Sequence, residues 1–143
     1  MKIHFASKSF IAEISAAVGA PVAFRLRCLT APRGIAIVQG RGRARRVGAA
    51  PLAAARRAGD TLPGRGIAYA QRSGAFVAIV AEVEIDRHTG KVWARKFTVA
   101  HDCGRIINPD GLRRCIEGNV VQGTNRALSE EVAFDRSKVA STD

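Results

Sequence analysis

A chain of 143 residues is long enough for one domain with a modest core. Hydrophobic residues make up 47%, which excludes a disordered polar chain, and no apolar run reaches the length of a bilayer-spanning helix. The net charge of +11 invites a nucleic-acid partner, but six arginines and no acid lie between Gln39 and Gly59, and without those six the charge is +5.

The N-terminal Met1-Lys2-Ile3-His4-Phe5 lacks the apolar stretch of a secretory signal, which decides little in a chain that can begin inside a longer gene product; the expected compartment is the cytoplasm, with export of the parent as a folded holoenzyme as the alternative. Ser7 can cap a helix running to Val18, with Phe10, Ile11, Ile14 and Val18 on one face and Gly19 as its stop. Pro21 then opens a second helix over Val22 to Leu29, with Val22, Leu26 and Leu29 inward and Arg25 and Arg27 outward. Residues 1–38 form a helical segment on this basis.

Residues 39–59 break the pattern. Ala, Arg, Gly and Pro fill 18 of their 21 positions, with neither a helical nor a strand period. A solvated basic linker, a short frameshift in a GC-rich gene and a nucleic-acid-binding arm all remain open. The arm has no interleaved aromatic on which bases could stack.

Residues 60–143 read as strands followed by a long helix. A short strand is expected at Gly66–Gln71 and a second strand at Phe76–Asp86, then a hairpin connection through Asp86-Arg87-His88-Thr89-Gly90, then a return strand Val92–Ala100. This hairpin carries no evident chemistry. His88 belongs to the exposed turn, and His4 has no ligand partner in the sequence. His101 beside Asp102 resembles a base and its orienting acid, but no nucleophile accompanies them, so a structural role is expected. Asn108-Pro109-Asp110 is a strong helix start. Leu112, Ile116 and Val120, continued by Leu128 and Val132, predict a helix from Pro109 to about Val132. The three cysteines, Cys28, Cys103 and Cys115, are odd in number and form no CxxC pair, which argues against a disulfide framework or a zinc site. The expected fold class is therefore α+β, with an N-terminal helical pair, a β-hairpin sheet and a long C-terminal helix.

Gly118 and Gly123 interrupt that last helix at about 1 kcal/mol each relative to Ala, a cost that usually reflects close approach of another group. The Gln122 amide beside Gly123 offers both a donor and an acceptor. The ordered set Asp102-Cys103-Gly104, Ile107-Asn108-Pro109, Ile116-Glu117-Gly118, Gln122-Gly123 and Ala127-Leu128-Ser129-Glu130-Glu131 resembles the cofactor domain of the molybdenum hydroxylases, the xanthine dehydrogenase and aldehyde oxidase family. Within that family it is similar to large subunits of the isoquinoline 1-oxidoreductase type.

This resemblance covers residues 3–38 and 60–143. It implies that 60–143 belong to the second molybdopterin-binding domain of a much longer subunit, and that Gln122, with Gly123 as its close-approach neighbour, lies against molybdopterin. In bacteria that cofactor includes the cytosine dinucleotide form. No catalytic residue and no protein metal ligand is expected here. The family's pterin dithiolene holds the molybdenum, and its catalytic glutamate belongs to a later Gly-Glu motif. The parent would hydroxylate aldehydes or N-heterocycles with water as oxygen source, alongside a small [2Fe-2S] subunit and the remainder of the large subunit. It would take a small-molecule substrate, with neither nucleic acid nor a membrane span involved. The chain alone would be inactive. Family members tend to carry an amphipathic helix where 39–59 stands, which adds weight to the frameshift beside the basic low-complexity linker; a non-catalytic remnant or mis-called gene product, or a basic nucleic-acid-binding domain, are the alternatives to the function. Two departures from the family pattern, Lys8 and Ala12, stand where acids are usual.

Overall fold

The structure, a computed structural model, describes residues 2–40 and 60–139. In chain order the elements are helices α1 (Lys2–Ala17), α2 (Pro21–Arg27) and α3 (Pro32–Val38), strands β1 (Thr61–Arg72), β2 (Ala75–Asp86) and β3 (Val92–Asp102), and helix α4 (Pro109–Leu128). The α+β class, the antiparallel hairpin sheet and the long C-terminal helix are as the sequence predicts. Most of the basic 39–59 stretch lies outside the described residues. Its first two residues close α3, where the Gln39 and Gly40 N–H groups donate to the Ile35 and Ile37 carbonyls. The chain divides into two compact units, Met1–Arg105 and Ile106–Asp143.

In the first unit the sheet is antiparallel in the order β1-β2-β3. Ser73 and Gly74 form the two-residue turn between β1 and β2, both at positive φ (48° and 78°), which matches the right-handed twist of the strands. Alternate residues of β2 point to one face, and there Phe76, Ala78 and Val80 are buried. Their cross-strand neighbours extend the row: Tyr69 and Ala100 flank Ala78, and Ile67 faces Val80. Val38 of α3 completes the buried cluster, with Val22, Leu26, Leu29, Ala31 and Ile37 packed around it. Gly34 is needed at this contact, because a Cβ there would fall 2.3 Å from the Tyr69 hydroxyl.

Several local expectations change. Helix α1 starts at Lys2, so Ser7 lies within it and does not cap it. Phe10 and Val18 are 63% and 58% exposed, and Ser15 takes the buried position instead, its hydroxyl donating to the Ala12 carbonyl. Arg25 is the main reversal. It is only 5% exposed, and its Nη2 donates to the Ile67 carbonyl at 3.0 Å. The long stem can cross α2's apolar side while the head finds a strand carbonyl. Burial lowers its pKa from the ordinary arginine value. Helix α3 adds a third helix to the expected pair within residues 1–38, and Pro32 at its first position is the local signal for it.

Strand β1 starts five residues before the expected Gly66, despite Pro63. The two-residue turn fixes which β1 residues bond to β2, and by that alternation Pro63 faces its nitrogen away from the partner strand. Strand β3 runs two residues past Ala100 to Asp102, with a bulge opposite Glu82/Val83 that leaves Arg95 as the extra residue.

Candidate functional site

In the second unit, α4 begins where the sequence predicts. Asn108 caps it, with Oδ1 accepting the Gly111 N–H at 2.8 Å, Pro109 occupies the first turn and Asp110 complements the helix dipole. Its end comes at Leu128, four residues before the expected Val132. The Ser129 and Glu130 N–H groups both donate to the Asn125 carbonyl, and the chain leaves helical geometry. The carboxylates of Glu130 and Glu131 oppose a helix C-terminus, which gives a physical reason for the stop.

No residue of α4 is buried. Apart from Gly111 in the first turn, the half-covered positions form an i+4 row, Leu112, Ile116, Val120 and Thr124. Leu128 and Val132, expected to prolong that row, are 47% and 60% exposed. Local bonds brace the exposed sides. Arg113 pairs with Glu117 at 2.8 Å, and the Asn119 amide and Thr124 hydroxyl donate to the carbonyls of Cys115 and Val120.

Gln122 and Gly123 are both exposed. The Gln122 amide has no hydrogen-bond partner among the described residues, so its donor and acceptor are both uncommitted. Gly118 stands one turn before Gln122 on the same face, and Gly123 lies about 100° further round. A Cβ at Gly118 or Gly123 would meet nothing within 4 Å. Neither glycine is therefore required by contacts among the described residues.

In the first unit, the segment that follows the sheet is organised by one carboxylate. Asp102 accepts Arg33 Nε at 2.8 Å on Oδ2, and it accepts Arg33 Nη2 together with the Gly104 N–H, the latter at 3.0 Å, on Oδ1. The Arg33 hydrogen bonds, and then that of Gly104, hold the Asp102 carboxyl down at about 2. Arg33 also lies over the Phe76 ring, 4.7 Å from its centroid. Sequence reading missed Arg33 altogether, because its partner is 69 residues away and α3 was not foreseen. His101 is half-buried, and its Nδ1 is buried without a hydrogen-bond partner among the described residues. His88 sits exposed in its turn with Nε2 3.3 Å from Asp60. Cys28, Cys103 and Cys115 are exposed free thiols. Among the described residues no three His, Cys, Asp or Glu side chains gather in a way that could hold a metal ion, and no helix is long and apolar enough to cross a membrane.

A family model described as molybdopterin cofactor-binding domain matches residues 31–143. A nicotinate dehydrogenase subunit from Pseudomonas putida is 40% identical over 153 aligned positions, covering 100% of this chain and 13% of that protein. The beta subunit of isoquinoline 1-oxidoreductase from Brevundimonas diminuta is 35% identical over 135 positions, covering 92% of this chain and 16% of its own length. The nicotine 6-hydroxylase large subunit from Paenarthrobacter nicotinovorans is 43% identical over 60 positions, 42% of this chain and 7% of its own. The chain thus spans between about an eighth and a sixth of the first two relatives. With the family model covering well over half of it, the chain belongs to the molybdopterin cofactor-binding domains of the molybdenum hydroxylases.

Proposed function

We propose that this chain supplies one wall of the molybdopterin site in the large subunit of a hydroxylase, with Gln122 as its direct contact to the pterin and Gly123 as the close-approach neighbour. The observation that carries this reading is the uncommitted Gln122 amide on a helix where Gly118 and Gly123 face open space. A pterin edge presents donors and acceptors side by side, which is the pattern a free carboxamide matches. Gly118, on the Gln122 side of the helix, also lets a flat ring approach the backbone. The uncommitted amide and the open space at Gly118 and Gly123 together fit the cofactor.

When bound, the cofactor supplies a two-electron redox centre. The net change is a C–H carbon and water going to a hydroxylated product, two protons and two electrons, the electrons passing to the iron–sulfur clusters of a small [2Fe-2S] subunit. The substrate class is an N-heterocycle or an aldehyde. The names nicotinate dehydrogenase, isoquinoline 1-oxidoreductase and nicotine 6-hydroxylase favour the heterocycle. The cofactor is proposed in its cytosine dinucleotide form, and residues 60–143 as part of the second molybdopterin-binding domain. Gln122 binds and orients; it transfers no proton. Alone, the chain has no redox partner and is inactive. Dye reduction by the purified chain with an aldehyde or N-heterocycle, above that of a heat-treated sample, would contradict this.

The direct test is Gln122→Ala in a complete relative carrying this chain. Losing one neutral hydrogen-bonding arm costs about 0.5–1.5 kcal/mol, rising to about 3 if a buried pterin atom is left unpaired. Cofactor occupancy or turnover should fall roughly a few-fold to a hundredfold with the fold intact. Native molybdenum content and turnover in the variant would reduce Gln122 to a surface residue.

A further inference from the structure

Asp102, the last residue of β3, shapes the turn that follows the sheet. One oxygen of its carboxylate takes Arg33 Nε, and the other takes Arg33 Nη2 together with the Gly104 N–H. Gly104 is at φ +82°, a conformation that L side chains rarely adopt. Arg33 comes from the first turn of α3 and rests on Phe76, which is both a core residue and the cross-strand partner of Asp102. Helix α3, strand β2 and the end of β3 thus meet at the Arg33–Asp102 pair.

Exposed ion pairs generally add little stability, and these side chains are 48% and 33% exposed. What distinguishes this pair is geometry. A guanidinium fork on a carboxylate fixes orientation as well as distance, and stacking on an aromatic ring removes the remaining freedom of the arginine. Such an arrangement holds a backbone shape more than it holds the fold together. The shape it holds is the Asp102-Cys103-Gly104 turn, five residues before α4 begins at Pro109.

We propose that Arg33 and Asp102 are positioning residues for molybdopterin retention: they set the Cys103–Gly104 turn at the root of the cofactor-binding segment before the cofactor arrives. This rests on the proposed contact at Gln122. Neither side chain needs to touch the cofactor. Without the clamp, Gly104 regains its large conformational freedom, and that freedom must be removed each time the cofactor binds.

The test uses the complete nicotinate dehydrogenase subunit from Pseudomonas putida, with this chain in place of its matching segment, assembled with its own partners. Molybdenum per subunit is measured by elemental mass spectrometry and released pterin by fluorescence, both after extended dilution. Thermal melting of the cofactor-free form is measured in parallel. Arg33→Ala should lower retained cofactor roughly two- to tenfold, the effect of releasing one or two ordered groups. Arg33→Lys should recover only part of this, because an ammonium cannot form the fork. Asp102→Asn should fall between them, since its amide oxygen still accepts the Gly104 N–H. Melting of the cofactor-free form should move no further than for Arg95→Ala, another exposed pair. Native retention in Arg33→Ala, or a loss that only tracks a lower melting point, would overturn the proposal. Gln122→Ala separates the two ideas. If it sheds cofactor while Arg33→Ala does not, only the positioning role fails. If Gln122→Ala keeps its cofactor, or the graft never holds molybdenum, the underlying reading fails and takes this inference with it.

Discussion

The two units of this chain use apolar residues in opposite ways. All the buried side chains described belong to the first, where Val38, Tyr69, Phe76, Ala78 and Val80 close a core between α3 and one sheet face. The second is less apolar in sequence, and the large apolar side chains it does carry stay exposed: Ile107 is 90% exposed, Val121 61%, Val132 60% and Phe134 73%. A sheet with a helix packed on it satisfies itself. Helix α4 instead depends on local devices: the Asn108 cap and the i,i+4 pairs Arg113–Glu117 and Arg126–Glu130. Its chemistry-bearing groups are therefore available, and its stability owes little to its own unit.

The contrast breaks most readily at Phe76. Phe76→Ala should destabilise the chain by about 3–5 kcal/mol in urea unfolding followed through Trp93 fluorescence, while Val121→Ala should stay within about 0.5 kcal/mol. Equal losses would mean that α4 is packed as tightly as β2. A smaller effect of opposite sign is expected at Gly118. Because open space surrounds it, Gly118→Ala should stabilise the isolated chain by up to about 1 kcal/mol through helix propensity, read from melting and far-ultraviolet dichroism. In the loaded parent the same change should weaken cofactor binding. Destabilisation of the isolated chain would show that the space over Gly118 is not free.

The smallest effect concerns acid. Asp102 titrates at about 2 in the folded chain, against an ordinary value of 3.8. A carboxyl depressed by folding adds stability that is fully present above its unfolded value and is lost as pH falls through the folded one. The stability difference between the native chain and Asp102→Asn should therefore narrow from about pH 4 down to about pH 2. A constant difference across that window would mean that the Arg33 fork does not form in solution. Salt should shrink the effect, because the pair is exposed.

What was legible in the sequence were features set by neighbours along the chain. The Asn108-Pro109 start of α4, the positive φ of Gly19 and Gly90, and the β2–β3 hairpin all follow from a few adjacent residues. What escaped depends on distance. Arg25 looks outward on a helical wheel, and only the Ile67 carbonyl, 42 residues on, turns it inward. Arg33 carries no local signal at all, since its meaning comes from Phe76 and Asp102. The early end of α4 is a third case, where a charge effect overrode an apolar period that runs on in the sequence. At the candidate site, the sequence singled out Gln122 and its glycines, and the openness of Gly118 and Gly123 became visible only in three dimensions.

The placement of Arg25 also bears on how the chain avoids sticking to itself. A strand edge with free carbonyls is a template onto which another molecule can add a strand, the first step towards aggregation. The alternation imposed by the two-residue turn points the Ile67 carbonyl away from β2, and the Arg25 guanidinium occupies it. Pro63 removes a donor from the same edge. On the opposite edge, the bulge at Arg95 followed by Lys96 kinks and charges β3. Each margin of this small sheet thus carries a feature that works against adding a strand there.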